Sequence, residues 1–147
     1  MSRGEHKTDS KRCYDWMFYA YSDIMSAKLL STDKRLYSMA AFHCQQCAEK
    51  ALKAFLLSKN HKLMDGHNLT WLCKQAALVN DGFARWIAES TMLNRYYIET
   101  RYPADILLEV DREALEQITA SAQGLLEFAA QLIKFDYASY HKKNVRR

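Results

Sequence analysis

Leu115-Glu-Gln-Ile-Thr-Ala-Ser-Ala-Gln-Gly-Leu-Leu-Glu-Phe-Ala-Ala-Gln-Leu132 is the stretch that decides the fold class. Within it Leu115, Ile118, Ala122, Leu125, Ala129 and Leu132 recur at steps that alternate between three and four residues. An α-helix turns once in about 3.6 residues, so these side chains form one apolar seam, the pattern of a helix packed nearly antiparallel in a bundle. Asp111 stands where an N-cap belongs, and the reading carries this last and longest helix to about Tyr140.

Upstream, a second helix is expected from about Leu36 to Lys59. Its apolar stripe of Ala40, Cys44, Cys47, Ala48, Ala51 and Phe55 is widened by Phe42, Leu52 and Leu56 beyond half a face, which predicts a helix buried between neighbours. A first helix runs from about Tyr14 to Ser31. Asn68 caps a short third helix that reaches about Asn80, and a fourth covers about Ala84 to Arg101, stopped by Pro103. One proline and four glycines leave little to interrupt helices, and strand-like alternation is absent. The expected fold is an all-α, up-and-down bundle of four long helices plus one short helix. It fills residues 13–140 as one domain, between a flexible basic tail at 1–12 and another at 141–147.

The chain's net charge of +4 belongs to its ends. Residues 1–12 carry four basic and two acidic groups and residues 141–147 carry four basic ones, which leaves 13 basic and 15 acidic groups between them. A basic nucleic-acid face on the body of the bundle is therefore not indicated by charge, although basic tails can attach loosely to phosphate backbones. No run is apolar enough for a membrane span or a signal peptide, so a cytoplasmic protein without membrane partners is expected, its four cysteines reduced core thiols.

Two polar stripes interrupt the apolar pattern. Helix two carries His43, Gln46, Lys50 and Lys53 at steps of three, four and three; helix four carries Ser90, Asn94, Tyr97 and Arg101 at steps of four, three and four. Facing one another, they would line a cleft for a ligand, because unpaired polar groups are costly to bury. The competing reading makes Lys50 and Lys53 surface lysines, with Glu49 and Lys53 a helical ion pair, and makes Tyr96, Tyr97 and Tyr102 packing residues. Cys44-x-x-Cys47 beside His43 has zinc-like spacing, but it lies within a helix and lacks a second ligand pair, so neither a metal nor another cofactor is expected.

The segment Phe42-His-Cys-Gln-Gln-Cys-Ala-Glu-Lys-Ala-Leu-Lys-Ala-Phe-Leu56 resembles the Gln-Gln-Ala-x-Glu-Lys-x-Leu-Lys-Ala helix of many prokaryotic HEPN proteins, with Cys47 where alanine is usual and the acid directly after Ala48. Three more pieces match in order. Asp15-Trp16 and Asp23 to Lys28 are similar to that family's opening helix. His67-Asn-Leu-Thr-Trp-Leu72 is similar to its His-x-Leu-x-x-Leu element, and Leu93-Asn-Arg-Tyr-Tyr-Ile-Glu-Thr-Arg-Tyr-Pro-Ala-Asp105 to its Tyr-x-x-x-Arg-Tyr-Pro box.

The resemblance implies a helical bundle that forms a homodimer, holds a nucleotide or RNA phosphate, and acts with a minimal nucleotidyltransferase partner in a toxin–antitoxin-type system. Toxic members are metal-independent ribonucleases that carry an arginine followed four to six residues later by a histidine. This chain departs from that pattern: Arg101 is followed at those distances by Asp105, Ile106 and Leu107, and Arg95 by Glu99, Thr100 and Arg101. Cleaving RNA without a metal needs an acid–base group near neutrality, which histidine supplies.

The candidate ligand-binding residues are thus Arg101, Tyr97, Tyr102, Lys50, Lys53, Gln46, His43 and Asn94, with Arg101 either a phosphate fork or an internal ion-pair partner of Glu49 or Asp105. A divergent endoribonuclease, the alternative, would use Arg101 with His67 or Asp105. A structural or adaptor dimer is the third reading.

Overall fold

The computed structural model of the chain describes residues 8–97 and 109–145, with side chains to residue 143. Within them lie α1 (Cys13–Leu30), α2 (Tyr37–Asn60), α3 (Leu69–Val79), α4 (Ile87–Asn94), α5 (Arg112–Leu132) and α6 (Tyr137–Val145). Two 3-10 segments, Lys34–Leu36 and Asp81–Trp86, lead into α2 and α4, and the described residues contain no strand. The all-helical bundle expected from periodicity is the fold.

The wide apolar face of α2 determines the layout. Ala40, Cys44, Cys47, Ala48, Ala51, Leu52, Phe55 and Leu56 are all fully buried, and the helix packs against α1, α5 and α3. On α5 the seam residues Leu115, Ile118, Ala122, Leu125 and Ala129 are buried and Leu132 is partly so. Each fully buried Leu, Ile or Phe contributes about 1.5–3 kcal/mol, so this central pairing is where most of the cohesion sits. The one glycine inside α5 is explained by a neighbour. A Cβ on Gly124 would lie 2.5 Å from the Trp86 ring, so the indole packs where only a missing side chain leaves room.

Two helices depart from the sequence reading. The last one does not run unbroken to Tyr140. Lys134 adopts φ 56°, the amide of Phe135 donates to the carbonyl of Ala130 at 2.9 Å, and that of Lys134 to Gln131 at 3.2 Å, the paired bonds that close a helix with a left-handed residue. Phe135 is thereby folded into the core, and the Asp136 carboxylate accepts the amide of Ala138 and the hydroxyl of Ser139 to begin α6. Helix four, expected from about Ala84 to Arg101, is instead 3-10 up to Trp86 and α-helical only to Asn94. The remainder of that expectation, from residue 98 onward, lies outside the described residues.

The caps positioned by sequence hold. Asn68 Oδ1 accepts the amide of Trp71 at 3.0 Å and Asp111 Oδ1 that of Ala114 at 2.7 Å. No helix among the described residues is long and apolar enough to cross a membrane.

Candidate functional site

The polar stripe of α2 divides between two carboxylates. On one edge, Lys50 Nζ donates to Asp23 Oδ2 at 2.6 Å and His43 Nδ1 sits 2.9 Å from Asp23 Oδ1. Asp23 is buried on α1, so this cluster fastens two long helices together; the side chains of Lys50 and His43 keep 24% and 27% of their surface in solvent.

On the other edge, Glu49 is buried within α2 and gathers three partners. Lys53, also buried, donates to Oε2 at 3.2 Å, and Gln45 Nε2 donates to Oε1 at 3.3 Å. His67 Nδ1, from the loop before α3, lies 3.0 and 3.1 Å from the two oxygens. A carboxylate only accepts, so Nδ1 carries the hydrogen in this contact. Burial pushes the Glu49 carboxyl up, but the hydrogen bond from His67, the charges of Lys53 and His67 and the Gln45 amide outweigh it, leaving Glu49 below its ordinary value. A carboxylate that is ionised and fixed in this way holds the imidazole in one orientation with Nε2 directed away from it, and a third of the His67 side chain stays in solvent. The ring of Tyr97 stacks on it, centroids 4.5 Å apart and planes 17° apart.

The remaining sequence candidates fall around these clusters. Gln46 donates through Nε2 to Gln45 Oε1 at 2.8 Å, which extends the Glu49 network outward. Asn94 Oδ1 accepts the amide of Leu69 at 2.9 Å and so joins α4 to the first turn of α3. Ser90, at the start of the expected α4 stripe, is buried. Arg101, Tyr102 and Asp105 lie outside the described residues. The structure therefore brings Tyr97, His67, Glu49 and Lys53 into one row, while the contacts of His43 and Lys50 run to α1 rather than towards α4.

Neither Lys50 nor Lys53 is an unengaged surface charge, and Lys53 is additionally 5.8 Å from the ring of Trp16. Cys44 and Cys47 are core thiols; burial raises both, Cys44 to about 11, so neither has thiolate character near neutrality.

Sequence spacing pairs neither Asp23 with Lys50 and His43 nor Glu49 with His67. Asp23 had a signal: it neighbours the α1 seam of Met17, Ala20, Ile24 and Ala27, and an acid beside a buried stripe requires a partner. The 18-residue separation of Glu49 and His67 leaves no comparable local mark.

Chemically, an imidazole fixed through Nδ1 and flanked by an aromatic face can accept a proton at Nε2, or, when protonated, donate to an anionic oxygen.

The model of the HEPN domain matches residues 13–133. The crystal structure of TT1696 from Thermus thermophilus superposes with a TM-score of 0.70 at 28% identity, covering 83% of this chain and 98% of that one. ST0689, described as an archaeal HEPN homologue, gives a TM-score of 0.67 at 25% identity, covering 84% and 99%. No curated protein matches.

Proposed function

We propose that this chain, which belongs to the HEPN family, is a module that binds a nucleotide or RNA phosphate beside His67 and Tyr97, with Arg101 as the phosphate fork. The observation that carries this reading is the half-open imidazole of His67, fixed by buried Glu49 and stacked on Tyr97 four residues before Arg101. Protonated His67 and Arg101 would supply two donors to a phosphate, Tyr97 and Tyr102 apolar faces to a base or sugar, and Lys53 would act indirectly by holding Glu49. In this reading the protein works as a homodimer in the cytoplasm with a nucleotidyltransferase partner, in a toxin–antitoxin-type pair.

Calorimetry of the full chain with mononucleotides and a short single-stranded RNA tests it. Binding is expected, weakened about tenfold or more by Arg101→Ala with the helical signal unchanged, as for loss of a charge-assisted hydrogen bond. Absence of heat with every probe, with no nucleotidyltransferase co-purifying, would sink it.

One observation favours the ribonuclease reading as a second. His67 is an oriented imidazole, the group missing downstream of Arg101, and Nε2 could take the proton of a ribose 2′-hydroxyl. Labelled RNA incubated with the protein and EDTA decides between them. Cleavage lost in both His67→Ala and Arg101→Ala supports an enzyme; intact RNA at high protein concentration leaves the binding module.

A further inference from the structure

A cleft of about 630 Å³ lies where the residues ahead of α1, the first turns of α1 and α6 come together, and Lys50 borders it. Its volume falls within the range of small-molecule sites, about 300–1,000 Å³. Four aromatic side chains line it: Trp16, Phe18, Tyr19 and Tyr140. Three are held in place. Trp16 Nε1 donates to the carbonyl of Ser10 at 2.8 Å, Phe18 stacks on Tyr137 of α6, and the Tyr140 hydroxyl donates to Asp15. Tyr19, also in the lining, keeps 60% of its surface in solvent.

Charge accounting selects the ligand class. Arg12 is paired with Asp15 at 3.0 Å, and Lys50 with Asp23 at 2.6 Å. Asp9, which also lines the cleft, makes no ion pair among the described residues and is left as its uncompensated charge. Aromatic faces beside an unpaired carboxylate attract cations. Lys53, held by Glu49, already lies 5.8 Å from the Trp16 ring centroid, so this wall accommodates one cation of the protein's own.

We propose that this cleft is a binding site for a small organic ammonium, a polyamine or quaternary amine, seated against Trp16 and Tyr19 with Asp9 as its counter-ion. The cleft meets the His67 cluster through Lys53, which lies beside Trp16 and holds Glu49, but the ligand proposed here does not depend on the function proposed there. Nuclear magnetic resonance titration of the full chain with tetramethylammonium, spermidine and, as an anionic counter-probe, AMP tests it.

The cations are expected to give saturable shifts in residues of the cleft. Tyr19→Ala should weaken their affinity about three- to thirty-fold, the range of one cation–π contact, Asp9→Asn about two- to fivefold, the range of a solvent-exposed ion pair, and His67→Asn should leave it unchanged. Neither substituted side chain is in the core, so both variants should fold. The proposal is overturned if neither cation shifts these resonances, if AMP occupies the cleft in their place, or if affinity survives both substitutions.

Discussion

Asp23 and Glu49 are bound in nearly the same way, each by one lysine and by one histidine through Nδ1, yet they sit in different mechanical settings. The partners of Asp23 both come from α2 and face α1, so that cluster joins two long helices and its cations stay partly in water. Glu49 and Lys53 are buried together within α2, and the histidine that reaches them stands on a loop beside the ring of Tyr97. The same residue types thus tie two rigid helices together in one case, and in the other orient a partly exposed imidazole carried by a loop. Composition alone does not separate the two; burial and the element that carries the imidazole do.

The strongest attempt to break this distinction is to remove each carboxylate. Glu49→Ala strands the buried Lys53 ammonium and should cost about 3–5 kcal/mol in urea unfolding. Asp23→Ala leaves Lys50 and His43, both a quarter exposed, able to turn into water, and should cost nearer 1 kcal/mol. Equal losses would erase the difference.

Acid probes the same asymmetry with a known sign. Glu49 is held below its ordinary value in the folded chain, so its contribution to stability is complete above the usual carboxylate range and is lost as pH falls through the folded value. Stability measured from pH 6 down to pH 3 should therefore fall less steeply in Glu49→Gln than in the unaltered protein.

A sharper division is expected in binding. His67→Asn should weaken RNA or nucleotide affinity about tenfold, roughly 1.4 kcal/mol, while His43→Asn should leave it within twofold, both read by calorimetry. Smallest is Asn94→Ala, which removes the acceptor for the Leu69 amide and should lower unfolding stability by about 1 kcal/mol without preventing folding.

The seam from Leu115 to Leu132, the broad apolar face of α2 and the caps at Asn68 and Asp111 could be read in advance because each is a local pattern set by helical geometry. The break after Leu132 could not. Ile133, Lys134 and Phe135 contain neither glycine nor proline, and Lys134 takes a left-handed conformation so that Phe135 can be buried, a tertiary demand with no local sign. Asp136 followed by Ser139 was the one available hint of a new N-terminus.

At the candidate site, the sequence places His43, Gln46, Lys50 and Lys53 on one stripe of α2 but, apart from Glu49 for Lys53, does not reveal the side chains they meet. Lys50 meets Asp23 across 27 positions and Glu49 meets His67 across 18, separations at which spacing carries no information. The Glu49–Lys53 ion pair was visible at i,i+4; its burial, which changes its energetic meaning, was not.

The claim that the Glu49 cluster, and not the Asp23 cluster, presents the functional imidazole is tested most directly by side-chain ¹⁵N resonance of the histidines while the full chain is titrated with a short RNA. The account predicts that the His67 Nε2 resonance moves and saturates while the ring nitrogens of His43 stay in place. Movement of His43 alone, or of neither histidine, would contradict it.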